Sequence, residues 1–177
     1  RNNKSSFGFR LDPKYLTELP FDRKAKFPEI PYGIFFFQGM HFIGFHIRFK
    51  DLARGGLRTI MPRELEALEI DRNTIFSECY NLSYTQQKKN KDIPEGGAKG
   101  VILLEPYGRL DFESQIYTKE LKASGYSDEE LEHTISKYRE EKKGNYLYCA
   151  QRSYIHTLLN LVNAKESGVL KAKNIID

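Results

Sequence analysis

Two phenylalanine-rich runs joined by a glycine-bearing loop limit what this chain can fold into more than any other feature. Ile34-Phe35-Phe36-Phe37 and Phe42-Ile43-Gly44-Phe45-His46-Ile47-Arg48-Phe49 flank Gln38-Gly39-Met40-His41. Aromatic and β-branched residues in runs of strand length, with a short glycine loop between them, predict a β-hairpin. In the second run Ile43, Phe45, Ile47 and Phe49 share one face, and Phe42, Gly44, His46 and Arg48 share the other. His46 and Arg48 are therefore expected on the less buried face. A direct ligand role for them stays open, because the strand runs straight into Ala53-Arg54-Gly55-Gly56-Leu57-Arg58.

The second organising stretch is Pro94-Glu95-Gly96-Gly97-Ala98-Lys99-Gly100-Val101, followed by the apolar run to Leu104. Three glycines this close remove side chains so that backbone can approach something else. It reads as a glycine-lined turn with one lysine, Lys99, leading into a strand. A lysine in a tight, partly dry pocket near other cations loses some preference for its charged form and can take part in proton transfer. Lys88, Lys89, Lys91, Arg54 and Arg58 are the nearby cations. The string is not a phosphate-binding P-loop, since no Ser or Thr follows the lysine and the upstream glycine spacing is wrong.

Elsewhere, alternation of Phe7, Phe9 and Leu11 predicts a strand that Asp12-Pro13 ends. Residues 13–31, with four prolines, read as an irregular connection. Asp51 to Arg58 reads as a turn. A helix is expected from Pro62 or Arg63, with a break at Asp71-Arg72-Asn73 and a second part over about 73–90 ending in Lys88-Lys89-Asn90-Lys91, cations that suit a helix C-terminus. A short helix from Asp111 or Phe112 to Lys122 stops at Gly125. Ser127-Asp128-Glu129-Glu130 has capping-box form and opens a helix to about Lys142, closed by Gly144. A last helix runs from about Asn145 to Lys165, burying Leu147, Tyr154, Leu158, Leu161 and Val162, with Gly168 as its stop.

At 177 residues the chain is one domain of globular composition, 29% charged and 40% hydrophobic. No apolar run approaches the ~20 residues that span a bilayer, so no membrane is expected. The N-terminus has no signal-peptide pattern and reads as an interior point of a longer chain. Cys79 and Cys149 give neither a disulfide framework nor metal-ligand spacing, which favours a reducing, cytoplasmic setting without a metal. The net charge of +4 suits a dicarboxylate site as well as nucleic acid. The basic run near Tyr80 and Tyr84 matches no known nucleic-acid motif, and no nucleic acid is expected.

The Ala53–Arg58 segment, followed by Thr85-Gln86-Gln87-Lys88-Lys89-Asn90-Lys91-Asp92-Ile93-Pro94-Glu95-Gly96-Gly97-Ala98-Lys99-Gly100, resembles the glutamate dehydrogenases, above all the large NAD-specific ones. The two segments come in family order at roughly family spacing. The likeness extends back through Pro31-Tyr32-Gly33-Ile34-Phe35 and Gly44–Phe49, covering residues 30–106; residues 107–144 look like an insertion. The resemblance implies an α/β substrate-binding domain over residues 1–177, with a mixed β-sheet flanked by helices. It implies oxidative deamination of L-glutamate to 2-oxoglutarate and ammonia, and a homo-oligomeric full enzyme. Lys99 stands at the family's catalytic lysine position. Arg54, where shorter members carry lysine, would contact one substrate carboxylate, with Gly55, Gly56, Gly96 and Gly97 letting the backbone approach. Arg58 is expected to be a structural ion-pair partner. The second carboxylate falls to Lys89, with Lys88 as the alternative; counting without gaps from Pro94 in the shorter enzymes gives Gln87 instead.

Two family requirements have no match. No Gly-x-Gly-x-x-Gly occurs in the 177 residues, so NAD is expected to bind a domain absent from this chain. The family's catalytic aspartate has no convincing counterpart. Two other readings remain: a dicarboxylate-binding module without catalysis, and a dehydrogenase of another amino acid, for which an apolar substrate side chain would not need the second carboxylate-binding cation.

Overall fold

The computed structural model describes residues 6–20, 22–62, 64–89, 92–105 and 107–163. The hairpin forms as the pattern predicts. Strand β2 (Gly33–Gly39) pairs antiparallel with β3 (Phe42–Arg48), Ile34 opposite Ile47 and Phe36 opposite Phe45. Strand β1 (Ser6–Leu11) lies antiparallel along the other side of β2. The Asp12 carboxylate accepts a hydrogen bond from the Lys14 amide at 3.0 Å, opening a 3-10 turn over Pro13–Glu18. A four-residue helix, α1 (Arg23–Lys26), follows, so the proline-rich connection is less irregular than its composition predicts.

Two expected turns are strands. Strands β4 (Ala53–Arg54) and β5 (Leu57–Ile60) both run parallel to β6 (Gly96–Leu104), which pairs antiparallel with β3 on its other side. The sheet order is β1-β2-β3-β6-β4, with β5 also on β6: a mixed sheet, as expected. The glycine–lysine stretch is thus the first half of the central strand rather than a turn. Its glycines leave room for neighbouring protein, so the backbone can stay extended. The step between β4 and β5 needs Gly55, because a Cβ there would lie 1.3 Å from the Ala98 carbonyl oxygen.

Helix α2 (Leu65–Gln87) connects β5 to β6 and covers one face of the sheet. It does not break at Asp71-Arg72-Asn73. Those residues lie on its outer side, where Arg72 Nη2 meets Glu105 Oε1 at 2.7 Å. Its inner side carries Leu68, Ile75, Cys79 and Tyr80 onto Ile34, Ile47, Val101 and Leu103. Leu65 at its start is exposed.

Helices α3 (Tyr107–Ala123) and α4 (Asp128–Val162) follow, joined through Gly125 at φ 86°. α3 starts four residues before Asp111. The Ser127 capping box is complete: Glu130 Oε2 accepts from the Ser127 amide at 2.9 Å and Ser127 Oγ accepts from the Glu130 amide at 3.4 Å. α4 does not close at Gly144 but continues as one helix of 35 residues. Its second half is held by packing on the sheet, and that carries the helix across the glycine. The predicted ends near Lys165 and Gly168 lie outside the described residues.

The second half of α4 covers the other sheet face, setting Ala150 and Tyr154 against Phe35, Phe37, Phe42, Ile102 and Leu104. Both faces of the inner strands are therefore dry, which explains the unbroken apolar run Val101–Leu104, all of it fully buried and each side chain contributing about 1.5–3 kcal/mol. It also corrects the expectation for His46. Its face is not the wetter one but the α4 face, and His46 is buried there. Among the described residues, no helix is long and apolar enough to cross a membrane, and no His, Cys, Asp and Glu cluster could hold a metal ion.

Candidate active site

The sequence-predicted residues converge on the first half of β6. Lys99 sits within the strand, opposite Ile47 of β3, and is half-buried. With Gly97, Val101 and Leu103 it shares the α2 face of the sheet. Its Nζ lies 3.3 Å from where a Cβ on Gly56 would be, so Gly56 keeps the ammonium's flank open. The Gly100 amide donates to the Gly56 carbonyl at 3.0 Å, fixing that segment alongside Lys99.

Arg54 is held one step away. It stands opposite Gly97 in the β4–β6 ladder, and its Nε lies 2.6 Å from Glu95 Oε1. The Arg54 side chain is 64% exposed and that of Glu95 only 8%. Arg58 pairs with Glu78 of α2 at 2.8 Å, the structural role expected of it.

The C-terminal end of α2 reaches the same place because a glycine admits it. A Cβ on Gly97 would lie 2.2 Å from the Gln87 amide nitrogen. Gln87 Oε1 accepts from the Gly97 amide at 2.7 Å, so Gln87, at the ungapped lysine position, is spent on structure. Gly96 is closed off by Lys50, whose Cβ would stand 2.6 Å from an added methyl. Gly96 and Gly97 are therefore covered by protein, whereas Gly55 and Gly56 are exposed.

The two candidate lysines differ. Lys88, the residue capping α2, is ion-paired with Glu29 and lies 5.0 Å from the Tyr84 ring centroid; the Glu29 bond holds its ammonium above the usual lysine range. Glu29 is fixed in turn, its backbone amide and carbonyl both bonded to the Tyr80 hydroxyl, at 3.0 and 2.7 Å. Lys89 is exposed and forms no ion pair among the described residues. Asn90 and Lys91 lie outside them.

On the opposite sheet face, a buried polar chain lies behind this site. His46 Nδ1 and the Tyr154 hydroxyl are 2.8 Å apart, and Arg48 Nη2 donates to the Asp51 carbonyl at 2.7 Å. Burial, with Arg48 nearby, pushes His46 down to about 3, so it is neutral. Burial also raises the Tyr154 hydroxyl. Sequence reasoning missed the partnership of Arg54 with Glu95, although Glu95 lies inside the motif it singled out; nothing in the string separates a buried carboxylate from a surface one.

The parallel crossover among the described residues does not suit NAD. The β5–α2–β6 crossover is the place for a dinucleotide in such a unit, at the helix N-terminus. Here Glu64 stands at the N-cap position without a side-chain capping hydrogen bond and Glu66 lies in the first turn, two negative charges that disfavour a pyrophosphate there.

No family model matches the chain. Similar proteins are known, however. The chain is 50% identical over 103 residues, 58% of its length, to the NAD-specific glutamate dehydrogenase of Saccharomyces cerevisiae. It is 48% identical over 103 residues, again 58% of its length, to that of Neurospora crassa. It is 44% identical over 104 residues, 59% of its length, to glutamate dehydrogenase 2 of Dictyostelium discoideum. In each case the match spans only 9% of the relative's length.

Proposed function

We propose that this chain is the substrate-binding part of an NAD-dependent glutamate dehydrogenase, which oxidises L-glutamate to 2-oxoglutarate and ammonia. The observation that carries the reading is the meeting of β4, β5, β6 and the end of α2 around Gly97–Lys99, within a chain this similar to proteins bearing that name. The β4–β6 ladder sets Arg54 opposite Gly97, two residues from Lys99, and Gln87, next to Lys88, bonds the Gly97 amide.

In this reading Arg54 grips one substrate carboxylate through its exposed guanidinium, since a planar fork matches a carboxylate's two oxygens. Lys89 takes the other, because Lys88 is already engaged by Glu29. Gly55 and Gly56 let the substrate lie close, while Gly96 and Gly97, covered by Lys50 and Gln87, shape the strand that carries Lys99. Lys99 directs its ammonium at the reacting centre, polarising the carbon–oxygen or carbon–nitrogen bond and helping to orient water for imine hydrolysis. NAD would accept the hydride from a domain outside this chain. The setting is cytoplasmic, consistent with two free thiols, Cys79 and Cys149. The full enzyme is a homo-oligomer.

The test is glutamate-dependent NADH formation by the full-length enzyme carrying Lys99→Ala. Loss of turnover by roughly a hundredfold or more is expected for removing a positioned acid–base group. Full turnover without the lysine would overturn the assignment.

A further inference from the structure

The contact between Arg54 and Glu95 goes beyond that reading, although it rests on it. Strand β4 is two residues long and, among the described residues, pairs only with Gly96 and Gly97. So short a strand fixes the backbone of Arg54 but not its long side chain, which stays 64% exposed. Glu95 supplies the missing constraint, with its Oε1 2.6 Å from Arg54 Nε. The carboxylate is itself placed by backbone. The Glu95 amide donates to the Ile93 carbonyl at 2.9 Å, and the next amide, that of Gly96, donates to the Leu52 carbonyl at 2.8 Å. Burying a carboxylate this far is unfavourable unless it is matched by a cation or hydrogen bonds, so this is not an incidental surface pair.

The atom that is engaged matters. An arginine can grip a carboxylate through two N–H groups at once. Here Glu95 Oε1 lies against Nε as an ion-pair contact without hydrogen-bond alignment, while the two Nη groups make no bond among the described residues.

We propose that Glu95 is a positioning residue for substrate: it clamps the Nε edge of Arg54 so that the Nη pair is presented, preordered, to the incoming carboxylate. Glu95 does not touch substrate. It removes side-chain freedom that binding would otherwise have to remove, an effect of about 0.65–1.4 kcal/mol for such a side chain, or about three- to tenfold in affinity.

The experiment is steady-state kinetics of the full-length enzyme with glutamate, for Glu95→Gln alone and combined with Arg54→Ala. Glu95→Gln should raise KM about three- to tenfold and leave kcat nearly unchanged. In the Arg54→Ala background the same change should leave KM where Arg54→Ala alone has put it. A structural role would instead act equally in both backgrounds and overturn the proposal. So would an unchanged or lower KM for Glu95→Gln, the lower value meaning that Glu95 competes with substrate. Should Glu95→Gln fail to fold, Glu95→Asp retains the charge, retracts it by one methylene and should raise KM in the same direction. If Arg54→Ala itself leaves KM unchanged, the carboxylate-binding role of Arg54 fails, and the positioning of it fails too. If Arg54→Ala raises KM and Glu95→Gln does not, only the positioning role fails.

Discussion

The hydroxyl of Tyr154 fills the space that a side chain on Gly100 would need: a Cβ there would lie 2.0 Å from Oη and 2.6 Å from Cζ. The catalytic-lysine candidate is the neighbouring residue, so α4 braces the strand that carries Lys99. Gly100→Ala should cost roughly 2–4 kcal/mol, from overpacking and from disturbing the bond between Tyr154 and His46. Tyr154→Phe, which leaves His46 Nδ1 without its 2.8 Å partner, should cost about 1–3 kcal/mol. Both changes break the same bond. Urea unfolding should therefore show a smaller cost of Gly100→Ala in the Tyr154→Phe background; strict additivity would mean that the contact does not exist.

His46 should make stability depend on pH. Its folded value is pushed down to about 3 by burial, against 6.5 when unfolded. Below 6.5 the unfolded chain takes up a proton that the folded chain refuses. The stabilising effect is thus complete above 6.5 and is lost as pH falls toward 3, at up to about 1.4 kcal/mol per pH unit. Arg48 and Tyr154 are the charged and titratable groups facing it, and neither changes state in that window. Unfolding free energies from urea titrations at pH 7.5 and pH 5 should differ by about 2 kcal/mol more in the wild type than in His46→Gln. Equal losses in the two would refute the assignment.

Much of this fold is legible in the string, and where legibility fails the cause is tertiary. The β2–β3 hairpin follows from side-chain type and a local loop, both short-range properties. The burial of His46 does not, because whether a face is wet depends on α4, which arrives 108 residues later to bond it. Glycine is ambiguous for the same reason. Gly96, Gly97 and Gly100 read as a turn because a turn is the common local use of glycine, yet each makes room for Lys50, Gln87 or Tyr154 on an extended strand. At the site, the motif residues Arg54 and Lys99 stand out by type. The division between Lys88 and Lys89 does not, since it depends on Glu29, far upstream in the chain.

The two thiols should differ sharply in reactivity. Cys79 is fully buried between α2 and the sheet, its Sγ directed at the Phe45 and Lys99 carbonyls, both at 3.4 Å, and burial pushes it up to about 12. Cys149 is exposed on α4. Only a thiolate attacks a maleimide efficiently. Labelling of the native chain at pH 8, mapped by mass spectrometry, should modify Cys149 alone, with Cys79 following only in denaturant. Fast modification of Cys79 in the folded state would contradict its place beneath Lys99.

Two glycines bounding the α3–α4 region should respond in opposite directions to the same substitution. Gly125 adopts φ 86° with open space around it, the left-handed turn that separates α3 from the Ser127 cap. A Cβ there meets no neighbour but is disfavoured by its own backbone, so Gly125→Ala should destabilise by about 1 kcal/mol. Gly144 also has nothing within 4 Å of a built Cβ, but it lies inside α4 with helical backbone. There alanine fits, and it restricts the unfolded chain, so Gly144→Ala should stabilise by about 0.5–1 kcal/mol. Thermal or urea unfolding of the two variants measures both signs directly. Were α4 instead two helices closed by a left-handed residue at 144, as the local sequence alone predicts, Gly144→Ala would destabilise as Gly125→Ala does.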